Sequence, residues 1–204
     1  IMDTAQTFTV AYNNTTEGVG QTGATQILID YLDADYNLAQ GVHVLGSTGT
    51  DTTSFTGFGI NRMVVIANGG LGWNAEDITL TATTDTTTQA QIPSLKSSTQ
   101  QLIYHTPINH NLLVDWLRAN ILKITGGGGS PIATVVGYSW SRVTNTRYEI
   151  FREDIDADVE NHMDISPSQP FVLGGREVLF FEVSTSVNNT VVKARFSGLL
   201  ERIN

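Results

Sequence analysis

Residues 78–93 read ITLTATTDTTTQAQIP, a segment in which seven of sixteen residues are threonine and only one is charged. Ile78, Leu80 and Ala82 alternate with threonines, so their apolar side chains would lie on one face of an extended strand. Threonine is β-branched and suits a pleated surface. Asp85 lies where a turn is expected, and the final proline ends the second strand because it has no N–H to donate. The segment predicts a β-hairpin with an apolar underside and a hydroxyl-rich outer face.

The rest of the chain repeats this pattern of short β-rich runs between glycine- and asparagine-rich turns. Many short strands with regular turns are typical of a sandwich or a barrel. We therefore expect an all-β protein, an antiparallel β-sandwich of jelly-roll-like form. The other predicted strands are residues 7–12, 26–32, 41–46, 61–67, 100–106, 132–140, 147–151, 176–183 and 191–198.

Residues 110–124, HNLLVDWLRANILKI, are the one segment that fits both kinds of secondary structure. A helix would line up Leu113, Leu117 and Ile124 on one face, whereas a strand would place Leu113, Leu117 and Ile121 together, with a polar interruption at Asp115. We favour the strand, because no strong helix cap precedes the segment and a glycine-rich stretch follows it.

Two turn-forming stretches look like the loops of β-hairpins. GGGGSP (126–131) lies between two β-like runs and is short for an interdomain linker. VNNTV (187–191) carries adjacent asparagines, which tolerate the positive φ angles of tight hairpin turns. We therefore expect each stretch to join two strands that are neighbours in one sheet.

The length of 204 residues suits one large β domain or two β lobes in tight contact. A chain of this size buries roughly 70% of its unfolded surface and needs no cross-links to hold a core. We place an N-terminal β lobe at residues 1–75 and a C-terminal jelly-roll-like β-sandwich at residues 76–204. The glycines and asparagines of residues 69–74 mark the predicted boundary.

The composition argues against several classes of function. The chain has no cysteine, which excludes disulfides, zinc–thiolate sites and thiol catalysis. The net charge of −9 argues against binding to nucleic acid or to an anionic membrane. No apolar run approaches the roughly 18 residues of a membrane-spanning helix.

Two motifs resemble known ligand sites, and both lack part of the pattern. GVGQTG (18–23) matches the glycine spacing of dinucleotide-binding loops, but the residues that follow read as a strand and not as a helix. Asp154, Asp156 and Asp158 have the alternating spacing of calcium loops, without the glycine and the terminal glutamate of the helix–loop–helix form. We interpret the first as a glycine-rich loop and the second as a solvated acidic loop, with a looser calcium site as the alternative.

No set of residues predicts catalysis. His105 and His110, with Asp115 beyond them, have no third ligand at a persuasive spacing for a metal. No serine nucleophile motif occurs, and no pair of carboxylates can be assigned to a glycosidase cleft. We therefore expect no catalytic, cofactor-binding or metal-binding residues and no cofactor.

Two other groups of residues could act at the surface of the protein: asparagines that can carry glycans and tryptophans that can bind sugars. Asn13, Asn14 and Asn188 stand in N-glycosylation sequons, although we interpret them as turn residues. The tryptophans, Trp73, Trp116 and Trp140, can stack on sugar rings, and packing in a core or an interface is the commoner role of such residues.

Three stretches together resemble a known group of proteins: FGINRMVVIANG with NAEDITLTATT and QAQIP (58–93), then residues 100–140, then residues 165–202. They resemble structural proteins from the virions of tailed bacteriophages and large marine viruses. In that group an edge containing proline, an N-N-T turn and a final strand close a jelly-roll-like sandwich. The resemblance covers most of the chain from about residue 22, and it carries no catalytic residues.

The resemblance implies a non-enzymatic structural protein on the exterior of a virus particle. Such a protein would decorate or cement the capsid, or form a head knob or fibre, as a homo-oligomer that is most simply a trimer. Its expected partners are the major capsid protein or other virion proteins. The alternative is a host-recognition module of a tail or head fibre, with Trp73, Tyr104, Tyr138 and Trp140 contacting surface glycans.

Overall fold

The computed structural model describes residues 2–99, 101–123, 131–159, 162–186 and 190–203. Fifteen antiparallel strands and no helix are found in these residues, so the all-β prediction is confirmed. The chain forms two compact units, Ile1–Gln101 and Leu102–Asn204, which are described separately below. The described residues contain no helix long and apolar enough to cross a membrane.

The N-terminal unit is built from two antiparallel sheets, ordered β4-β1-β6-β7 and β3-β2-β5. Buried side chains from both sheets form one core, which includes Phe8, Ile27, Ile60 and Leu80. The unit is therefore a β-sandwich. Its strands are β1 (Phe8–Ala11), β2 (Ala24–Leu32), β3 (Leu38–Val44), β4 (Thr50–Thr52), β5 (Gly59–Asn68), β6 (Ile78–Ala82) and β7 (Thr88–Ile92).

The threonine-rich hairpin is confirmed as β6 and β7, which pair with each other in antiparallel register. Ile78, Leu80 and Ala82 are buried, and the threonines between them are partly exposed. The underside of the hairpin therefore contributes to the core, as period-two alternation predicted.

The boundary between the units differs from the one expected at residues 75 and 76. Strand β6 pairs with β1, with Val10 opposite Leu80, so the hairpin is part of the N-terminal sandwich. The glycines and asparagines near residue 70 form a turn within that unit. Local sequence marks turns equally well inside a unit and between units, so it could not place this boundary.

The C-terminal unit is also built from two antiparallel sheets. One is ordered β11-β10-β14-β8; in the other, β9 pairs with β15 along one edge and with β12 and β13 along the other. Leu117 and Ala119 of one sheet share a core with Ala133, Val135 and Ile155 of the other. The strands are β8 (Ile103–His105), β9 (His110–Lys123), β10 (Ile132–Ser141), β11 (Thr146–Asp156), β12 (His162–Ile165), β13 (Phe171–Leu173), β14 (Glu177–Thr185) and β15 (Thr190–Arg202).

The ambiguous segment at residues 110–124 is the strand β9, as far as the described residues extend. Val114 and Leu117 are both buried although three positions separate them, because a β-bulge opposite Ser197 and Gly198 shifts the alternation at Asp115. This bulge explains why the segment matched a helical spacing as well as a strand.

The prediction that residues 126–131 and 187–191 each join neighbouring strands of one sheet is wrong. Strands β9 and β10 lie in different sheets, and so do β14 and β15. The loop residues themselves, 124–130 and 187–189, lie outside the described residues. The pairing is nested instead: β9 pairs with β15 and β10 pairs with β14, which is a jelly-roll-like arrangement. Turn composition alone does not distinguish a hairpin from a connection between sheets.

Candidate functional site

A shallow groove of about 420 Å³ lies on the solvent-facing side of the sheet β11-β10-β14-β8. We call it the outer groove. Its lining combines apolar, aromatic, hydroxyl and charged side chains, which is the mixture that ligand sites use. The lining residues are Thr134, Val136, Tyr138, Arg152, Glu182, Val183 and Ser184.

The strand register explains how these residues come together. In β10, Ala133 and Val135 point into the core, so Thr134, Val136 and Tyr138 point outward. Val136 lies between Arg152 of β11 and Glu182 of β14. Cross-strand pairing therefore places an apolar floor between a cation and an anion.

Tyr138 and Phe180 form an aromatic wall at one end of the outer groove. Their rings stack with centroids 5.4 Å apart and planes inclined by 25°. The Cζ atom of Arg147 lies 3.4 Å from the Tyr138 ring centroid, and its Nη2 donates a hydrogen bond of 2.7 Å to Oε2 of Glu182. This guanidinium therefore links the aromatic wall to the carboxylate side of the groove.

A second ion pair, between Arg152 and Glu149, lies on the other side of the outer groove. Arg152 donates two hydrogen bonds to Glu149, from Nε at 3.1 Å and from Nη2 at 2.8 Å. These bonds lower the pKa of Glu149, and the bond to Glu182 raises the pKa of Arg147. Arg147, Arg152 and Glu149 are therefore charged near neutral pH. Exposed pairs of this kind contribute little to stability, so they mainly determine the surface chemistry.

The geometry of the outer groove suits binding of a polar ligand. Its lining offers the hydroxyls of Thr134, Tyr138 and Ser184. Thr134 Oγ1 donates a hydrogen bond of 2.6 Å to the Asp154 carboxylate on the neighbouring edge strand. A polar ring-shaped ligand could contact the aromatic wall and the charged sides together.

A second cluster of charge lies on the outer side of the β9–β15 sheet, which we call the basic face: Trp116, Arg118, Lys193 and Arg195. The Cζ atoms of Arg118 and Arg195 lie 5.2 and 5.0 Å from the Trp116 ring. Arg118 also pairs with Asp164, through Nε at 2.9 Å. Among the described residues, Lys193 and Arg195 are exposed and make no ion pair. This face is therefore positive in an acidic protein.

In the N-terminal unit, the outer side of the sheet β3-β2-β5 carries an apolar row. Leu28 lies between Val42 on β3 and Val64 on β5, and Val44 extends the row along β3. Val42 and Val44 are 54% and 51% exposed. We call these four residues the apolar face.

The structure separates the four aromatic residues that the sequence suggested for glycan contact. Tyr138 and Trp140 lie together on the outer side of β10, and Arg142 approaches the Trp140 ring at 5.2 Å. Tyr104 packs against a buried cluster instead, and Trp73 lies exposed in the other unit. Only Tyr138 lines the outer groove.

The GVGQTG stretch is a loop, as expected, and strand β2 follows it where a dinucleotide site would need a helix. The loop surrounds the buried carboxylate of Glu17, which accepts hydrogen bonds from the backbone N–H groups of Ala24, Ala75 and Glu76. Gly18 has φ of +102°, and a Cβ there would lie 2.1 Å from a carbonyl oxygen of Gly46. The glycines therefore allow the chain to close around the side chain of Glu17.

The two histidines and the aspartate that the sequence did not assign to a metal have the following surroundings. His105 is fully buried, and burial together with the nearby Arg142 guanidinium lowers its pKa to about 3. His110 Nδ1 lies 2.9 Å from the Ile108 carbonyl oxygen, and Asp115 is exposed at the bulge. No group of three His, Asp or Glu side chains in the described residues is placed to hold a metal ion.

The acidic residues expected in a solvated loop lie mostly in a strand: Asp154 and Asp156 belong to β11, and only Asp158 lies in the turn after it. Asp156 ends β11, and its Oδ1 accepts a hydrogen bond of 2.9 Å from the backbone N–H of Asp158. Of the sequon asparagines, Asn13 and Asn14 lie in an exposed turn, while Asn188 lies outside the described residues. Asp156 and Asn13 therefore accept backbone hydrogen bonds that hold local turns.

Sequence reasoning missed the charged residues of the outer groove: Arg147, Glu149, Arg152 and Glu182. A signal was present, because the predicted strand at residues 147–151 begins with the alternating charged and apolar side chains RYEI, and Arg152 follows it directly. The partners on β10 and β14 could not be named, since pairing register is not visible in a single strand.

Known proteins offer no guide to this arrangement: no protein-family model, no curated protein and no solved structure matches the chain.

Proposed function

We propose that this protein is a non-enzymatic structural component of a virus-particle exterior, which decorates or cements the capsid or forms a head knob or fibre. It acts as a homo-oligomer, most simply a trimer, bound to the major capsid protein or to other virion proteins. The observation that carries this proposal is the apolar face of the N-terminal unit. The sequence resemblance supplies the viral setting.

The apolar face has the character of a surface that another protein covers. Its row of Leu28, Val42 and Val64 crosses all three strands of the sheet, so the apolar area is continuous. Continuous exposed apolar area is uncommon on monomers and marks interaction sites.

The edge of the same sheet also lacks the protection that exposed strands usually carry. On the β5 side, residues 97–99 cover the edge through backbone hydrogen bonds, such as Val65 N–H to the Ser97 carbonyl at 2.8 Å. On the other side, β3 pairs only with β2 in the described part of the chain, and its sequence LAQGVHV has no proline, lysine or acidic residue. Edges of this kind invite contact with another chain.

The electrostatics of this side favour a second copy of the chain as the occupant. Its charged groups are Asp30 and Arg62, which pair at 3.5 Å, and Gln40 donates a further hydrogen bond to Asp30. The net charge here is therefore zero, although the whole chain carries −9. Acidic copies can approach each other at this side without direct repulsion between like charges.

Light scattering of the purified chain tests the assembly. We expect the mass of three chains, and we expect Val42→Lys to shift the protein toward monomer because a lysine would be buried at the contact. Leu199→Lys is the matched control, since Leu199 is exposed but lies in the C-terminal unit. A monomeric wild-type protein, or equal effects of the two variants, would contradict assembly through the apolar face.

The particle itself provides the test of the structural role. A protein that binds only the assembled shell shifts the equilibrium toward the intact particle. We therefore expect particles without this protein to melt at a lower temperature, or to withstand less salt, than complete particles. Unchanged particle stability would count against a cementing role.

A second candidate function is host recognition through surface glycans, and the outer groove favours it. Tyr138 offers an aromatic surface beside Arg152 and Glu182, a combination that sugar ligands use. A glycan array probed with the purified protein tests this function, and an array with no bound glycan would rule it out.

A further inference from the structure

We infer that the outer groove is a binding site for a neutral pyranose sugar, held against Tyr138 and Val136 and flanked by Arg152 and Glu182. This inference rests on the host-recognition function and names its ligand class and its site. It is independent of assembly through the apolar face, which lies in the other unit.

The shape of the outer groove fits one or two sugar rings. A volume of about 420 Å³ falls at the small end of the range for ligand pockets. The floor is Val136, which is 6% exposed. The wall is the part of the half-buried Tyr138 ring that still lines the groove, since the Arg147 guanidinium covers one face of this ring at 3.4 Å. A pyranose has a face of C–H groups, and such a face packs favourably against the exposed part of an aromatic ring and a valine.

The polar groups on the sides retain free hydrogen-bonding capacity. Glu182 uses Oε2 for Arg147, so Oε1 can accept a bond from a sugar hydroxyl. Arg152 uses Nε and Nη2 for Glu149, which leaves Nη1 as a donor. Ser184 adds an exposed hydroxyl at the far end of the groove. Donors and acceptors therefore face each other across the floor, and sugar hydroxyls can serve as both.

The charges around the outer groove favour a neutral sugar over an acidic one. Three carboxylates, of Glu149, Asp154 and Glu182, lie along its two sides, against the two guanidiniums of Arg147 and Arg152. A sugar acid would meet a slightly negative site whose two guanidiniums are each paired with a carboxylate.

An acidic sugar has a better site elsewhere on the same unit, which makes the ligand class testable. Lys193 and Arg195 of the basic face are exposed cations without a carboxylate partner in the described residues. Substitutions in the outer groove and on the basic face therefore distinguish binding of neutral sugars from binding of acidic sugars. The outer groove takes neutral sugars, and binding of acidic sugars would depend on Arg195.

The experiment is a glycan array containing neutral and acidic saccharides, followed by titration calorimetry of each glycan that binds. The wild-type chain is compared with Tyr138→Ala and Glu182→Gln, and Arg195→Gln serves as the matched control on the other sheet. Circular dichroism spectra check that each variant is folded, and Glu182→Gln changes a charge with almost no change of shape. We expect neutral glycans to bind, with affinity reduced about tenfold or more by Tyr138→Ala, reduced by Glu182→Gln, and unchanged by Arg195→Gln.

The outcomes distinguish failure of this inference from failure of the function. Binding of acidic glycans alone, lost in Arg195→Gln, would overturn the neutral-sugar assignment and leave host recognition standing. Binding of neutral glycans that survives both groove substitutions would overturn the assigned site. An array without any bound glycan would overturn the inference and the recognition function together.

Discussion

The carboxylate side chains of the two units have different partners. Residues 1–101 contain nine acidic and two basic residues, for a net charge of −7. Residues 102–204 contain eleven acidic and nine basic residues, for a net charge of −2. The N-terminal unit also holds 20 of the 27 threonines, and the C-terminal unit holds seven of the eight arginines.

In the N-terminal unit, backbone N–H groups and neutral side chains bind three carboxylates that hold loops, whereas Asp30 pairs with Arg62. Glu17 accepts three backbone hydrogen bonds, and Asp51 accepts one from the Tyr12 hydroxyl and one of 2.8 Å from the Gly46 N–H. Asp77 is held by the Gln91 amide and by the Ser94 N–H at 2.7 Å. Glu17 is buried, Asp51 is half-buried and Asp77 is exposed, and each of them holds a loop of the unit.

In the C-terminal unit, arginines bind the carboxylates at the surface. Asp164 pairs with Arg118, and Glu182 pairs with Arg147. Both pairs stand on outer sheet faces beside aromatic rings. The comparison teaches that a buried acid tied to backbone groups supports the fold, whereas an exposed acid tied to arginine shapes a binding surface.

The largest effect that this comparison predicts is at Glu17. Glu17→Gln replaces an acceptor with a group that also carries N–H donors, in a buried site where three N–H groups converge. We expect a loss of about 2–4 kcal/mol of stability in the N-terminal unit. Hydrogen exchange of strands β1 and β2 would measure the loss, with β9 of the same sample as an internal reference.

Glu76→Gln is the matched control for this prediction, because Glu76 lies next to the same loop with its side chain exposed. We expect it to leave exchange in both units unchanged. Equal destabilisation by the two substitutions would contradict the distinction between buried and exposed acids.

A smaller effect is expected from pH, through His105 of the C-terminal unit. Its pKa falls from 6.5 to about 3 in the folded chain. As pH falls below 6.5 the unfolded state binds a proton that the folded state refuses, so stability decreases until pH approaches 3. Between pH 6.5 and 5 this amounts to about 2 kcal/mol.

Thermal unfolding of the wild type and of His105→Asn at pH 6.5 and 5 checks this effect. Carboxylates titrate mostly below this window, and asparagine can still accept a hydrogen bond from Arg142 in place of the His105 ring nitrogen. We expect a smaller pH dependence in the variant. Identical pH dependence in both proteins would show that His105 is not the group responsible.

The smallest effect is expected at the exposed arginine pairs. Arg152→Gln removes the pair with Glu149, both of which are well exposed. We expect thermal stability to change by no more than the error of the measurement, and to change equally little when salt is raised to about 1 M. A loss of stability comparable to that of Glu17→Gln would contradict the distinction between buried and exposed acids in the two units.

Sequence patterns predicted the parts of this fold that depend on local alternation. Ile78, Leu80 and Ala82 identified the hairpin, and the polar interruption at Asp115 marked the bulge in β9. The connections between sheets were not predicted, because GGGGSP has the composition of any flexible loop. The unit boundary was missed because the pairing of β1 with β6 joins residues about seventy positions apart.

The candidate site was predicted only in part, for a similar reason. Tyr138 stood out as an aromatic residue on a strand that alternates. Its partners Arg147 and Glu182 come from two other strands, and their contact depends on a register that includes a bulge between Gly137 and Tyr138. Registers of this kind follow from packing across the whole sheet and not from any one segment.

The nested pairing of β9 with β15 also determines when the C-terminal unit can finish folding. Residues 110–123 emerge from the ribosome long before residues 190–202, which cover one whole edge of that strand. At roughly 5–20 residues per second, β9 waits several seconds for its partner during synthesis. Its Leu112, Val114, Leu117 and Ile121 side chains are exposed in that interval, so translation speed and chaperone supply should govern how much of this protein escapes aggregation in the cell.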